Sequence, residues 1–360
     1  MPETEPPQDL LPSATGPWLG LDIGGANLKL ASSLGWSCSQ PYPLWKDPGG
    51  LADELAPLLA RCEPFCGLAL TMTGELADCF RTKDQGVASI LQSVWSIARN
   101  KPLWVWGLDR EFHTLHAALQ QPRLFAASNW LALATWIATE SPASPSLLID
   151  IGSTTSDLIP LEQGRCIATG RTDLGRLQAG ELLYTGLSRT PLCALASSVQ
   201  LRGQSVPLAA ELFATTRDLY LVLGWTESDP QDTNTANGRP ATREEARDRL
   251  ARMLCCDRFE LSDDELLDIA LQLAEVQLQQ LVQAAQRNLH RLPDCETVVL
   301  SGSGTLLGQR LFSRVCEQRP ASLPPLKLIT LADEWSPPLS DCACAYAVSK
   351  LADRQFRATE

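Results

Sequence analysis

The sequence has few histidines and no paired-cysteine motif. It contains three histidines, and none of its twelve cysteines belongs to a C-x-x-C pair. A structural zinc site usually needs paired C-x-x-C or cysteine and histidine spacing. The pattern therefore argues against a cysteine-bound metal, and we expect the cysteines to be reduced and mostly buried.

Positive charge is also scarce. The chain has 30 Lys and Arg against 42 Asp and Glu, which gives a net charge of −12, and no basic cluster occurs. Such a chain binds nucleic acids and anionic membranes poorly, because both carry negative charge themselves. The expected partners are therefore small molecules, and a homo-oligomer is compatible with the sequence.

Long apolar runs are missing as well. No run approaches the ~18 residues that a membrane-spanning helix needs. Residues 1–16 are acidic and proline-rich, the reverse of a signal or transit peptide, and their composition predicts a disordered tail. Together these features predict a cytoplasmic protein without a membrane span.

The rest of the chain predicts two halves that begin alike. Its length suggests about two domains. A Pro/Ser-rich stretch at 141–146 predicts the boundary between an N-terminal lobe over 17–145 and a C-terminal lobe over 146–360. Each half opens with two strands around a turn of small residues and continues with strand and helix patterns, which predicts an α/β fold.

The clearest helix is predicted over 262–292, behind a polar loop at 226–246. Ser262 and Glu265 form a capping-box pattern at its start, and Pro293 ends it. Its apolar stripe is predicted from residues at three- and four-residue steps: Leu267, Leu271, Ala274, Leu278, Leu281, Ala285 and Leu289.

Two apolar runs end in the same three residues, Asp-Ile-Gly. The first reads WLGLDIGGANLKL over 18–30, and the second reads SLLIDIGSTTSDLI over 146–159. Glycine lets the backbone come close to a ligand, and successive N–H groups in such a turn form a concave anion site. The repeat predicts two phosphate-binding turns in two similar lobes, with a ligand between them.

The candidate ligand-binding residues are small or carry hydrogen-bond donors. They are Gly24, Gly25, Asn27 and Lys29 in the first turn and Gly152, Ser153, Thr154 and Thr155 in the second. Lys29 would act as a point charge on phosphate, or is a solvated strand residue. Asp22 and Asp150, at the two strand ends, would orient Mg²⁺ or cap their own turns. Gly302 and Gly304, in a third Gly-rich turn, suit the close approach of another part of the ligand.

The turns match neither the Walker motif nor the Rossmann fingerprint, since G-x-x-x-x-G-K-[ST] and G-x-G-x-x-G are both absent. Two duplicated lobes with paired phosphate turns and a later Gly-rich turn resemble the actin, sugar-kinase and heat-shock ATPase fold. That resemblance implies a two-lobed α/β fold with duplicated β-hairpin phosphate turns and a central cleft.

Longer strings resemble one narrower family. The chain is similar, over about residues 18–350, to the hydantoinase/oxoprolinase-like proteins of tetrahydromethanopterin-linked one-carbon metabolism. The strings that carry the resemblance are TMTGELADCF (71–80), ASNWLALA (127–134), LLIDIGSTTSDLIPL (147–161), GELLYTGLSRTPL (180–192), ANGRPAT (236–242) and ARMLCCD (251–257).

The family includes a methanofuran-biosynthesis condensing enzyme, and the resemblance implies a transferase. The implied reaction joins an aminomethylfuran-methyl diphosphate to the phenol of γ-glutamyltyramine and releases pyrophosphate, with Mg²⁺ as cofactor. The chain departs from the family pattern at Ser156, where a third threonine is usual, and at Asn237, where aspartate is usual. The tail at 1–16 and the many Trp and Cys residues are also unlike an archaeal member. A bacterial protein with a tyrosine-like acceptor is therefore an alternative.

Several residues receive roles as hypotheses. Glu75, just after a buried strand, is the candidate general base, or is a helix N-terminal glutamate favoured by the dipole. Asn129 reaches the cleft, or caps its own helix. Arg239 belongs to a mobile lid, or lies in a plain solvated loop. The other candidate substrate-binding residues are Thr73, Glu181, Tyr184 and Arg189.

Two further functions remain open at this stage. Paired phosphate turns also suit an ATP-dependent kinase or an oxoprolinase/hydantoinase-like hydrolase, in which ATP would be the cofactor. A nucleotide-gated assembly protein is the third alternative, by analogy with actin and the chaperones.

Overall fold

The computed structural model describes residues 16–62, 64–98, 100–140 and 144–357. The predicted tail therefore lies almost entirely outside the described residues, as does half of the predicted linker. In the part that is described, no helix is both long and apolar enough to cross a membrane. The cytoplasmic location stays a prediction.

Strands and helices alternate along most of the chain. The strands are β1 (Trp18–Ile23), β2 (Asn27–Ser32), β3 (Ser37–Pro41), β4 (Gly67–Met72), β5 (Leu103–Trp106), β6 (Phe112–Thr114), β7 (Ser146–Ile151), β8 (Ser156–Glu162), β9 (Arg165–Cys166), β10 (Leu182–Leu183), β11 (Ser198–Leu201), β12 (Gln204–Pro207), β13 (Thr297–Ser301) and β14 (Lys327–Thr330). The helices are α1 (Leu51–Cys62), α2 (Lys83–Ser96), α3 (Leu115–Gln120), α4 (Asn129–Glu140), α5 (Asp173–Ala179), α6 (Leu192–Leu195), α7 (Thr216–Val222), α8 (Arg243–Arg252), α9 (Asp263–His290), α10 (Thr305–Gln318), α11 (Leu331–Glu334), α12 (Pro337–Asp341) and α13 (Ala343–Arg357), with a 3₁₀ turn at Pro122–Leu124.

The first sheet has the order β3-β2-β1-β4-β5-β6. Strands β1, β2 and β3 are antiparallel neighbours, whereas β1, β4 and β5 run parallel. Every residue of β1 and β4 is buried, as expected for parallel strands covered on both faces. Helix α13 packs on β1 so closely that a Cβ on Gly20 would lie 1.9 Å from the Ala345 carbonyl oxygen.

The second sheet repeats this plan. Its order is β10-β8-β7-β13-β14, with β9 paired to β8. In each sheet the opening hairpin lies beside a strand from later in the chain, β4 beside β1 and β13 beside β7. The prediction of an α/β fold with duplicated β-hairpins is confirmed.

The chain forms two compact units, and neither is a continuous segment. The first combines the chain up to Ser146 with Leu161–Gly175 and Ile329–Glu360, and the second comprises Leu147–Pro160 and Arg176–Leu328. The predicted division into 17–145 and 146–360 assigns Leu161–Gly175 and Ile329–Glu360 to the second lobe, whereas both segments belong to the first compact unit. Whether the two predicted lobes are folding domains stays a prediction. The return of the last segment has a clear packing reason, because α13 covers β1, β2 and β4.

Helix α9 begins as the sequence predicts, but its first half buries a different face from the predicted one. Its capping box, with Ser262 and Glu265, is present. The predicted stripe is wrong at the start, since Leu267 is only half-buried and Leu271 is 46% exposed. The residues buried instead are Leu266, Ile269, Ala270 and Leu273. The polar loop is also shorter than predicted, because α8 already begins at Arg243.

Candidate functional site

The first predicted phosphate turn closes the β1–β2 hairpin. The Gly24 N–H donates to the Asn27 carbonyl at 3.0 Å, and two N–H groups of the 42–44 loop donate to the carbonyls of Ala26 and Gly25 at 2.9 and 3.1 Å. A Cβ on Gly25 would meet nothing within 4 Å. The protein thus engages the turn's carbonyls and leaves open space at Gly25 for a ligand.

The loop after β4 lies directly beside this turn. The Thr73 and Gly74 N–H groups both donate to the Ile23 carbonyl at 2.9 Å. A Cβ on Gly24 would lie 3.7 Å from the Thr73 Oγ1, and the Thr73 side chain is exposed. The structure therefore brings Thr73 and the first turn together, as the position of Thr73 after a buried strand predicts.

Asp22 and Asn129 are in contact. Asp22 is 7% exposed at the end of β1, and the Asn129 Nδ2 donates to its Oδ2 at 3.4 Å. The Asn129 Oδ1 accepts from the Trp130 N–H at 2.7 Å. Asn129 thus contacts the end of the first hairpin and the first backbone N–H after it in α4, and its place in a ligand cleft stays a prediction.

Lys29 is held by an acidic partner. Its Nζ donates to the Asp341 carbonyl at 2.6 Å and to the Asp341 Oδ1 at 3.0 Å. Burial acts to lower the pKa of Lys29, but the Asp341 carboxylate outweighs burial and the pKa is raised. The reading of Lys29 as a solvated strand residue is therefore wrong. Its role as a phosphate ligand stays a prediction, and phosphate would have to compete with Asp341.

Glu75 is a buried carboxyl group with an unusual pKa. It is 1% exposed, and burial raises its pKa to about 7 against the opposing effect of Lys83. The Lys83 Nζ lies 3.9 Å from the Glu75 Oε1 and 3.2 Å from the Asp173 Oδ2. Glu75 lies in a turn before α2, so its reading as a helix N-terminal residue is wrong. A carboxyl group poised near neutral pH is suited to accept a proton.

The second turn repeats the first at the level of the backbone. The Gly152 N–H donates to the Thr155 carbonyl at 2.9 Å. The Leu187 N–H donates to the Gly152 carbonyl at 2.9 Å, and the Ser188 and Arg189 N–H groups donate to the Ser153 carbonyl at 3.0 and 2.9 Å. The GELLYTGLSRT string therefore lies against this turn, and the hydroxyl-bearing residues Ser153, Thr154 and Thr155 form its tip.

The third Gly-rich turn packs on the end of β7. Gly302 has a φ of +86°, and a Cβ there would lie 2.4 Å from the Ile151 carbonyl oxygen and 2.7 Å from the Asp150 Oδ1. The Gly304 N–H donates to the same Ile151 carbonyl at 2.9 Å. These glycines are required by contacts within the protein, whether or not they also contact a ligand.

The predicted acceptor-binding residues have different surroundings. Glu181 is 0% exposed and accepts from the Arg291 Nη1 at 2.6 Å, and its role in substrate binding stays a prediction. Tyr184 is 71% exposed, and Arg189 is half-buried with a pKa that burial lowers. Tyr184 and Arg189 stay candidates for the acceptor pocket.

The polar loop is anchored by a buried pair that the sequence did not reveal. The Arg249 Nε donates to the Asp218 Oδ1 at 2.7 Å, and the Arg249 Nη1 donates to the Asn237 Oδ1 at 3.2 Å. Arg239, the lid candidate, is exposed and lies 3.5 Å from Glu245. The asparagine that departs from the family pattern is thus an acceptor for a buried arginine.

The acidic residues at the turns would suit a metal that arrives with phosphate. In the described ranges no group of three or more His, Cys, Asp or Glu side chains could hold a metal ion, and all twelve cysteines are free. Mg²⁺ is commonly held by one or two carboxylates together with substrate phosphates. Each unit has one carboxylate near the end of its opening strand, Asp22 in the first and Asp150 in the second.

Comparisons with known proteins agree on a family. The family model described as hydantoinase/oxoprolinase matches residues 67–319. A protein of Methanocaldococcus jannaschii named (4-{4-[2-(gamma-L-glutamylamino)ethyl]phenoxymethyl}furan-2-yl)methanamine synthase is 33% identical over 94% of this chain and 98% of its own length. A protein of Methanococcus vannielii with the same name is 27% identical over 59% of this chain and 92% of its own length.

A solved structure supports the fold assignment. The nucleotide-free structure of an acetone carboxylase matches 92% of this chain and 70% of its own chain, with a TM-score of 0.52 and 11% identity. At that identity the likeness concerns the fold alone.

Proposed function

The chain belongs to the hydantoinase/oxoprolinase family, and we propose that it is a synthase that forms an aryl ether in methanofuran biosynthesis or that of a bacterial analogue. The proposed reaction joins an aminomethylfuran-methyl diphosphate to the phenol of γ-glutamyltyramine, or of a tyrosine-like acceptor. The phenol oxygen bonds to the furan CH₂ carbon, the bond from that carbon to the diphosphate breaks, and pyrophosphate leaves.

The observation that carries the proposal is the likeness to a named synthase over nearly the whole length of both chains, at 33% identity. That relative's printed name describes a furan joined to a phenol through a CH₂–O bond. The matched range includes both hairpins and the residues around Glu75, so the chemistry of each can be compared with what the reaction needs.

The leaving group needs stabilised negative charge. Breaking the C–O bond leaves the bonding electrons on pyrophosphate, and backbone N–H groups in Gly-rich turns stabilise such charge without reorganisation. The turns at Gly24 and Gly152 have the same closing hydrogen bond, at 3.0 and 2.9 Å, and each has its carbonyls engaged by a neighbouring loop. Both turns therefore suit an oxygen-rich anion.

The acceptor must lose a proton. A phenol has a reference pKa of about 10, so a base has to take its proton as the new bond forms. Glu75 has a pKa raised to about 7 by burial, which makes its carboxylate a stronger base than an ordinary glutamate. We assign it as the general base, and Thr73 beside the first turn as a substrate contact.

Mg²⁺ is the proposed cofactor. Bound to pyrophosphate, it would neutralise part of the negative charge that develops on the leaving group. Asp22 and Asp150 would hold it, each with one carboxylate at the end of its strand, and Asn129 would orient Asp22 through its 3.4 Å contact.

The proposal is tested by direct turnover. The purified chain is incubated with Mg²⁺, the furan-methyl diphosphate and a set of phenolic amines and amino acids. Mass spectrometry of the ether and an assay for pyrophosphate give the two readouts. Ether and pyrophosphate formed in equal amounts support the proposal.

An ATP-dependent reaction is the competing outcome. Paired turns of this kind would also suit the β- and γ-phosphates of ATP, and the structure with the similar fold is that of an enzyme for ATP-dependent acetone carboxylation. ATP turnover without ether formation from any acceptor would overturn the synthase proposal in favour of a kinase or hydrolase.

A further inference from the structure

The carboxyl group of Glu75 is linked to a second acidic residue through Lys83. The Lys83 Nζ lies 3.9 Å from the Glu75 Oε1 and donates to the Asp173 Oδ2 at 3.2 Å. Glu75 is 1% exposed, whereas the side chains of Lys83 and Asp173 are 31% and 29% exposed. The three residues form a short line of charge from the protein interior to solvent, within the first unit.

The two oxygens of Glu75 have different surroundings. Oε1 faces the Lys83 ammonium, while Oε2 is buried and receives no side-chain donor among the residues that the structure describes. The backbone N–H groups of Glu75 and Ala127 also act on the carboxylate and lower its pKa. An acceptor hydroxyl would supply a side-chain-type donor to Oε2.

Helix α2 holds Lys83 in a fixed place relative to Glu75. Lys83 is its first residue, behind Thr82, whose side chain accepts from the Gln85 N–H as an N-cap. Gly86 in the next turn packs on Glu75 itself, and a Cβ there would lie 2.1 Å from the Glu75 carbonyl oxygen. This contact ties the start of α2 to the turn that carries the base.

We propose that Lys83 and Asp173 are positioning residues for proton transfer by Glu75. Lys83 draws Oε1 towards its ammonium group and leaves Oε2 for the acceptor, while Asp173 anchors that ammonium. The inference rests on the proposed function for the proton-transfer step, but the arrangement of charges can be measured without substrate.

The two neighbours act on Glu75 in opposite directions. After burial, which raises its pKa most, the Lys83 ammonium lowers the pKa of Glu75 and the Asp173 carboxylate raises it. Lys83 and Asp173 are the charged side chains with the largest effects on Glu75. Removing the one charge or the other should therefore shift the titration of Glu75 in opposite directions, and the pH profile of kcat/KM separates a role in proton transfer from a structural one.

The test is a titration of the full chain by NMR. Glutamate is labelled with ¹³C at Cδ, and the Glu75 signal is identified by its loss in Glu75→Gln. We expect Lys83→Met to move the titration midpoint up by about one pH unit, and Asp173→Asn to move it down by about half a unit. Lys83→Arg should stay near wild type, and Lys83→Gln replaces Lys83→Met if that variant does not fold.

Asp84→Asn is the matched control. Asp84 adjoins Lys83 on α2 but pairs with Arg123 at 3.0 Å, so its loss should leave the Glu75 midpoint unmoved. Shifts in the same direction for Lys83→Met and Asp173→Asn, or no shifts, would overturn the inference.

The proton-transfer step is tested separately, in the profile of kcat/KM against pH. If Glu75 is the base, the acidic limb follows the midpoints measured by NMR, moving up in Lys83→Met and down in Asp173→Asn. NMR shifts without matching movement of the limb would overturn the role of the pair in proton transfer. NMR shifts in a protein that forms no ether would overturn the proposed function and leave the charge arrangement in place.

Discussion

The two hairpins share a backbone and differ in their side chains. The turns close in the same way, with the Gly24 N–H on Asn27 and the Gly152 N–H on Thr155, at 3.0 and 2.9 Å. In the ladder, Lys29 pairs with Asp22. The equivalent position of the second repeat is Asp157, and the charge is reversed. The two copies therefore share the backbone of the turn, while each has its own charged partner.

The loops beside the hairpins differ even more. Both reach the carbonyl of the isoleucine that ends the first strand, from Thr73 and Gly74 in one sheet and from Gly304 in the other. The first loop continues into Glu75, a buried acid, whereas the second consists of small residues packed on β7. The difference supports a division of labour in which proton chemistry belongs to the first hairpin and both hairpins bind phosphate.

The largest expected effect tests whether the two aspartates are equivalent. We expect Asp22→Asn and Asp150→Asn each to lower kcat/KM by about 100- to 1,000-fold, because each removes a charge proposed to hold the metal on the leaving group. Steady-state kinetics at saturating Mg²⁺ measures the loss, and circular dichroism checks that the fold is intact. Asp53→Asn, an exposed carboxylate on α1, is the control. Unchanged turnover in either variant would remove that aspartate from the site.

A second prediction concerns the reversed charges. Arg176, the partner of Asp157, is 2% exposed, whereas the Asp341 side chain that pairs with Lys29 is 28% exposed. Arg176→Met removes a charged partner from the buried Asp157 carboxylate and should cost about 3 kcal/mol of the free energy of unfolding. Lys29→Met leaves its partner partly solvated and should cost about 1 kcal/mol. Urea unfolding measures both, and equal losses would show that the two pairs are not energetically distinct.

The local structure of the two hairpins could be predicted from the sequence, but the charged residues that pair with their side chains could not. Local sequence patterns predict the hairpins, the buried strand before Thr73 and the capping box at Ser262. The structure contains all of them. Lys29 meets Asp341 across 312 residues, and Arg249 meets Asp218 across 31. No periodicity encodes such pairs, because they depend on tertiary packing. The predicted apolar stripe of α9 is wrong at Leu271 for the same reason, because the elements packed against the helix decide which of its faces is buried.

The buried Glu75 gives the third prediction, a stability that falls as the pH rises towards neutrality. The pKa of Glu75 is about 7 in the folded state, against an ordinary value of 4.5. Between these values the folded state binds a proton that the unfolded state has lost, so the free energy of unfolding falls as the pH rises from about 4.5 to about 7. Glu75→Gln removes this dependence.

The expected result is a gain for Glu75→Gln, relative to wild type, that grows by about 2 to 3 kcal/mol between pH 5 and pH 8. Urea unfolding at the two pH values measures it, with Glu211→Gln, at an exposed glutamate, as the control. A gain that is the same at both pH values would contradict the raised pKa.

The smallest expected effect distinguishes Gly302, which is in close contact with the backbone of β7, from Gly25, which has open space around it. Gly302 has a positive φ and backbone within 2.4 Å of an added Cβ, whereas a Cβ on Gly25 would meet nothing within 4 Å. We expect Gly302→Ala to lower the free energy of unfolding by about 2 kcal/mol and Gly25→Ala to change it by less than about 0.5 kcal/mol. If phosphate approaches the first turn closely, Gly25→Ala should still raise the KM for the diphosphate, because the new methyl group occupies the open space. A stable Gly25→Ala variant with unchanged KM would mean that the diphosphate does not approach Gly25, and the anion-binding role would then fall to the second hairpin alone.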